Sequence, residues 1–209
     1  MSNNARNGRL LTAGAMVVVS LILGGCVTGS GSAAPMAEVS PRATKERFPV
    51  RLINRARFPA DFAVTEVDYP SQEPAGTVVV QTWNSKLYFI MGKGKARRYA
   101  VAVGKAGHGW KGSAVIQRRS EWPAWHPTDE MLSTAPSMPQ KIPPGPDNPL
   151  GARALYLYAD GKDTLYRIHG TSEPWTIGTP ASSGCIRMFN EDVIDLYARV
   201  DLNAKVIVQ

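Results

Sequence analysis

Cys185 follows His169 by sixteen residues in the segment 167–190, RIHGTSEPWTIGTPASSGCIRMFN, and these two side chains are the best suited in the chain to covalent chemistry. A cysteine thiol titrates at about 8.5, so near neutral pH it needs a base to become a nucleophile. An imidazole within hydrogen-bond reach takes that proton and can return it to a leaving group. Gly184, directly before the cysteine, has no side chain to keep backbone N–H groups away from an oxygen that turns negative as sulfur attacks a carbonyl.

The rest of the chain indicates where such a thiol works. Arg6 and Arg9 precede an uncharged, largely apolar run over residues 10–25. That run is shorter than the ~20 residues of a membrane-spanning helix and reads as a signal peptide, residues 1–25. It ends in Leu23-Gly24-Gly25-Cys26, which resembles a bacterial lipoprotein box. The resemblance implies that Cys26 carries the lipid and that the chain is periplasmic, anchored to the outer or the inner membrane. There are two cysteines, so a lipid on Cys26 leaves Cys185 without a disulfide partner in an oxidising compartment. The formal net charge of +7 suits an acidic partner such as a carboxylate-rich polymer. No nucleic-acid module accompanies that charge, so nucleic acid is not expected as a partner.

The elements that must position the pair are mostly strands. Residues 26–47, rich in Gly, Ser and Ala, are expected to form a flexible tether. Residues 48–75 form an N-terminal extension interrupted by Pro49, Pro59, Pro70 and Pro74, expected to wrap the domain. Residues 76–209 are expected to form the domain that holds the pair. Within it, strands are predicted at 77–83 and 86–91 around an Asn84-Ser85 turn, and at 97–103, 113–119, 155–159, 164–168 and 204–208. Short strands with Gly-rich turns indicate a mainly β sandwich or barrel. A short helix is expected after the cysteine, capped by Asn190 and burying Val193, Leu196, Tyr197 and Val200. Residues 121–149 hold eight of the sixteen prolines, which excludes a central strand and leaves a long loop. Trp122 and Trp125 either line a binding wall there or anchor the loop to the core.

With these residues in view, the chain resembles the L,D-transpeptidase catalytic domain of the YkuD (ErfK/YbiS/YcfS/YnhG) type. The matching pieces are His169-Gly170-Thr171, Ile177-Gly178, Ser182-Ser183-Gly184-Cys185-Ile186-Arg187-Met188, Asn190 and Asp192, with Gly145-Pro146-Asp147-Asn148-Pro149-Leu150-Gly151 upstream. The resemblance implies a peptidoglycan stem peptide as substrate and no cofactor. Cys185 attacks the carbonyl of the third residue, a diamino acid, and D-alanine leaves. The acyl group then passes to the side-chain amine of a neighbouring stem. His169 is base and proton donor, and the backbone at Gly184 holds the oxyanion. Arg187, Gly170, Thr171, Trp125 and His126 belong to the substrate-binding set, with an ion pair to the fold as the equal alternative for Arg187. One departure stands out: many members have histidine where this chain has Ser183, so any support from that position comes through a hydroxyl.

Several alternatives share the site. Water as acceptor makes a carboxypeptidase or endopeptidase, and an amine of an outer-membrane protein makes a protein-attachment enzyme. A non-catalytic wall-binding lipoprotein is a different class, supported only by Ser183. No metal is expected, because His108 and His126 fall in Gly- and Pro-rich loops at spacings unlike a zinc site.

Overall fold

The computed structural model describes residues 46–105, 109–182 and 184–209. The expected signal peptide, Cys26, nearly all of the tether, His108 and Ser183 lie outside them.

Ten strands follow in chain order: β1 (Thr65–Asp68), β2 (Val78–Gln81), β3 (Lys86–Gly92), β4 (Lys95–Gly104), β5 (Gly112–Glu121), β6 (Arg153–Ala159), β7 (Lys162–His169), β8 (Pro180–Ser182), β9 (Ile186–Met188) and β10 (Lys205–Val208). Helices α1 (Asp129–Thr134) and α2 (Asn190–Tyr197) complete the main elements. Eight strands run β4-β3-β2-β10-β5-β6-β7-β9, and β9 pairs back onto β4, which closes a barrel. Closure leaves no unpaired strand edge within that ring. β1 and β8 are added along β4.

Alternation within each strand sorts side chains between two faces. Val78, Val80, Leu87, Tyr99, Val101, Ile116, Leu155, Leu157, Ile168, Ile186, Met188, Val206 and Val208 point inward, and Val193, Leu196 and Val200 from α2 and the residues after it close the same core. Burying each of these aliphatic side chains contributes about 1.5–3 kcal/mol. The mainly β reading is therefore met, as a closed barrel with a helix after the cysteine. Two details differ from expectation. β2 stops at Gln81, and residues Thr82–Asn84 make a 3-10 turn before Ser85 adopts a left-handed φ of 55°. Asn190 does not cap α2: Phe189 is the N-cap, without a side-chain bond, and the Asn190 carboxamide is used elsewhere.

The extension packs on the outer face of the barrel. Ile53, Phe58 and Phe62 cover Ala100, Ala102, Ile177 and Phe189. Arg55 bonds both Glu191 and Asp192 in the first turn of α2. Glu46 accepts from Arg153 and from the Trp122 indole. Trp122 is buried against Phe48, so it anchors the Pro-rich loop rather than lining a wall. Within that loop α1 was not foreseen; Thr128 caps it by accepting from the Met131 N–H.

Two carboxylates of α2 titrate in opposite senses. Burial raises Asp195, but hydrogen bonds from Arg199, Tyr99 and Arg97 outweigh it and hold the group at about 2. Burial pushes Asp192 up to about 6 despite Arg55. Against an unfolded value of about 3.9, the Asp195 contribution is present above pH ~4 and is lost as pH falls through about 2. The Asp192 contribution is present below pH ~4 and is lost as pH rises through about 6. We expect Asp195→Asn to cost about 1–3 kcal/mol at pH 7 through its broken hydrogen bonds and to flatten the acid side of a Tm-against-pH curve. Asp192→Asn should flatten the decline between pH 4 and 7. Parallel curves for both variants and the wild type would contradict this assignment.

Candidate active site

The site forms where β9 lies parallel to β7. Ile168 pairs with Ile186 and His169 with Arg187. One step earlier in this register, Cys185 stands beside Arg167. The inward set is Ile168, Ile186 and Met188. Alternation therefore turns Arg167, His169 and Arg187 to the other face, and Cys185 joins them at the end of the strand. His169 and Cys185 are diagonal neighbours on adjacent strands, a relation that spans roughly 7–8 Å between backbones and suits contact by long side chains.

His169 is 4% exposed. Its Nδ1 lies 2.6 Å from the Gly170 carbonyl oxygen, and because a carbonyl only accepts, Nδ1 carries the proton. That leaves Nε2 as the lone-pair nitrogen. Burial lowers the ring's pKa to about 4, the Gly170 bond opposes this, and the Arg187 and Arg167 guanidinium groups lower it further. The imidazole is thus neutral at pH 7 and able to accept a proton.

Burial raises the Cys185 thiol, opposed by the Arg167 backbone N–H and by the charges of Arg167 and Arg187. At rest the cysteine is a thiol and the histidine a neutral imidazole, not a preformed ion pair. The thiol makes a long contact of 3.8 Å to the Leu165 carbonyl. That carbonyl belongs to a bulge: Leu165 has φ 63°, and the β6–β7 register shifts between Tyr156 and Tyr158. Asp163 and Thr164 side chains satisfy the bulge amides, so the irregularity is built in rather than frayed.

Gly184 has φ 127°, a conformation side-chain-bearing residues rarely adopt. Its N–H donates to Ser182 Oγ at 3.1 Å, and that hydroxyl donates to the Cys185 carbonyl. The amide expected to meet an oxyanion is therefore engaged inside the loop in this state. Arg187 pairs with Glu173 at 3.0 Å, and Arg167 binds Asp163 through both terminal nitrogens.

Asn190 ties three segments together. Its Oδ1 accepts from the Ala152 N–H at 3.0 Å and the Thr171 N–H at 3.1 Å, and its Nδ2 donates to the Thr171 carbonyl at 2.8 Å. The carboxamide fits only because residues 151 and 170 are glycine: a Cβ at either would collide with Oδ1. Asn148, almost fully buried, shapes the approach by donating to the Ile142 and Pro143 carbonyls and accepting from the Leu150 N–H. The Gly170 carbonyl that orients His169 thus belongs to a segment held from the first residue of α2.

The register sets His169, Arg187 and Cys185 on one face of β7 and β9, with Gly184 before the cysteine and Gly170 and Thr171 following the histidine. It does not bring in Trp125 or His126. Trp125 is half-buried with its backbone paired to Ile142, and His126 is exposed. Among the described residues neither bonds Cys185, His169 or Arg187. Sequence reasoning missed Arg167, although counting back by two from His169 reaches it. The structural job of Asn190 left no signal beyond the two glycines it requires.

Comparison with known proteins adds a lineage to this geometry. Residues 75–208 match the family model of the L,D-transpeptidase catalytic domain, YkuD. Two Escherichia coli K12 relatives are similar: the probable L,D-transpeptidase ErfK/SrfK, 32% identical over 62% of this chain and 42% of its own length, and the probable L,D-transpeptidase YbiS, 30% identical over 62% and 43%. The chain thus spans about two fifths of the length of these relatives. A Brucella melitensis crystal structure described as a probable carnitine operon oxidoreductase is 44% identical, covers 75% of this chain and 99% of its own, and superposes with a TM-score of 0.51.

With a raised thiol pKa, alkylation of Cys185 by iodoacetamide should be slower at pH 7 than that of free cysteine and should climb through pH 9. A plateau from pH 6 upward would indicate a thiolate–imidazolium pair and overturn the neutral one. Asn190→Ala leaves two amides and a carbonyl without partners, at about 1–3 kcal/mol for each buried group left so. It should also abolish the slowly exchanging Nδ1–H proton signal of His169. A retained signal at native stability would show that Gly170 is held by other means.

Proposed function

The chain belongs to the L,D-transpeptidase catalytic domain family, and we propose that it acts on peptidoglycan as a cysteine acyltransferase joining third-position diamino acids of two stem peptides. The observation that carries this reading is the shared face of β7 and β9: an imidazole committed through Nδ1 to the Gly170 carbonyl, diagonal across the two strands from the only cysteine of the described residues.

The chemistry runs in two halves. His169 Nε2 takes the Cys185 proton as sulfur bonds to the carbonyl carbon of the third residue. Negative charge collects on the oxygen, and the Cys185 N–H, with Gly184 once it turns from Ser182, donates to it. The C–N bond breaks, His169 returns its proton to the departing D-alanine amine, and a thioester remains. A side-chain amine of a second stem then attacks the thioester carbon. His169 accepts the amine's proton and gives it to the sulfur that leaves. Burial keeps the imidazole neutral at rest, so its Nε2 lone pair is free to accept the thiol's proton.

The N-terminal reading joins as part of the proposal: a lipid on Cys26 anchors the domain in the periplasm, where peptidoglycan lies within reach of a tether. Water or an amine of an outer-membrane protein serves the same acyl-enzyme as alternative acceptors.

Incubating the protein with tetrapeptide muropeptides and reading products by mass tests the proposal. We expect a crosslinked dimer with loss of D-alanine, at least a 10³-fold loss of turnover in Cys185→Ala, and retained folding in that variant. Trimmed tripeptide without dimer would assign water as acceptor. A carbapenem adduct on Cys185 would mark the acyl-enzyme, whereas the oxidoreductase role attached to the Brucella protein predicts none. Absence of any product or adduct would refute the acyltransferase reading.

A further inference from the structure

The face that carries Cys185 continues across the barrel wall in a single register row. Arg118 of β5 pairs with Tyr156 of β6, and Tyr156 pairs with Arg167 of β7. The step that follows Ile168–Ile186 backwards puts Cys185 beside Arg167. The row is therefore Arg118, Tyr156, Arg167, Cys185. Its first three side chains are in contact. The Arg118 guanidinium lies 3.5 Å from the Tyr156 ring centroid, and that of Arg167 lies 4.5 Å from the same ring. The two cations belong to strands on opposite sides of β6, so the tyrosine stands between them.

The two arginines differ in what neutralises them. Asp163 holds Arg167 through two hydrogen bonds. Arg118 is exposed and, among the described residues, makes no ion pair. Stacking restrains its guanidinium plane against a buried ring, which lowers the conformational cost of using its edge, and leaves its N–H donors for a planar anion. The geometry points to a carboxylate subsite: we propose that Arg118, set on Tyr156, binds a carboxylate of the peptide acylated at Cys185. This deepens the acyltransferase reading and rests on it for the identity of the peptide.

Spacing supports the assignment. Neighbouring strands lie about 4.8 Å apart, so a cation leaning over β6 is roughly two strand spacings, ~10 Å, from the β9 position of Cys185. An extended peptide advances about 3.3 Å per residue. The subsite therefore reads a carboxylate within roughly 10 Å of the scissile carbonyl, the reach of a long acidic side chain. The closer Arg167 and Arg187 already carry protein carboxylates, Asp163 and Glu173. Arg118 is the member of this cationic face that needs its counter-ion from outside. A bidentate carboxylate matches the fork of its guanidinium.

The test uses Cys185→Ala as the background, so that binding is read without turnover. A tetrapeptide muropeptide with free carboxylates and its carboxyl-amidated form are titrated calorimetrically at low and high salt. We expect the free form to bind more tightly at low salt and Arg118→Gln to weaken it about tenfold while leaving the amidated form unchanged. Arg118→Lys, which keeps charge but not the fork, should fall between. Equal weakening of both forms, no effect of Arg118→Gln, or no binding of the free form would overturn the proposal. Circular dichroism and Tm of the exposed-site variant exclude misfolding as the cause. If Cys185 in the wild-type sulfur form takes no acyl group but Arg118→Gln still selects against the free carboxylate, the transfer reaction fails and the subsite stands. Normal crosslinking with no Arg118 effect gives the converse.

Discussion

Parallel pairing of β9 with β7 is the constraint on which the rest depends. β9 has three residues, yet their register decides which side chains share a face with His169. A slip by one residue would send Cys185 and Arg187 to the core face and bring Ile186 and Met188 outward. The core prevents that, because Ile186 and Met188 are buried with Ile168, Val101 and Leu155. Hydrophobic packing on one side of the sheet thus fixes the chemistry on the other. β9 also pairs with β4, so the same three residues that set the site close the barrel. A small element placed in this way inherits the stability of the whole ring rather than relying on its own few hydrogen bonds.

The loops that complete the site are held from outside the barrel. Asn190 binds the segment after His169, and the next residues of α2, Glu191 and Asp192, receive Arg55 from the extension. Phe58 stacks edge-on against Phe189, and Ile177 lies under the same cover. Residues 46–64 therefore back the loop before the cysteine and the helix after it. The extension acts on the site through these contacts, and among the described residues none of its side chains bonds Cys185 or His169.

What could be read from residue types alone followed physical periodicity. Val78 to Val80, Leu87, Tyr99 to Val103 and Leu155 to Leu157 alternate or run apolar, and each became a barrel strand. Cys185 and His169 were visible because their chemistry needs those side chains and no substitutes. β9 was hidden, because three residues behind a Ser- and Gly-rich loop carry too little pattern. Barrel closure depends on a pairing between β4 and β9 more than eighty residues apart, which no local period encodes. The bulge at Leu165 breaks alternation in the strand leading to His169, and its purpose, a carbonyl aimed at the thiol, is a backbone property. Asn190 looked like a helix cap by residue type; tertiary contacts with Gly151 and Gly170 claimed its carboxamide instead. Trp122 and Trp125 shared one composition signal and separated only by burial.

A neutral cysteine and a neutral histidine, the ring buried and the thiol half-buried, have a chemical logic of their own. Thiolate is the form that oxidises and exchanges with disulfides, so a raised thiol pKa lowers the standing fraction of the vulnerable species. In the oxidising compartment proposed for this chain, a preformed thiolate without a partner would be exposed to oxidation between turnovers. The neutral pair keeps sulfur protonated until a carbonyl is in place to share the developing charge. The cost is a weaker nucleophile at rest. Arg167 and Arg187 offset part of it, since both favour the anion on sulfur while disfavouring a proton on His169. The same two charges thus favour the anion on sulfur and oppose the cation on the imidazole, so they help to keep the histidine neutral. Their own carboxylates, Asp163 and Glu173, temper that field so that it does not draw the thiol's proton away before substrate arrives.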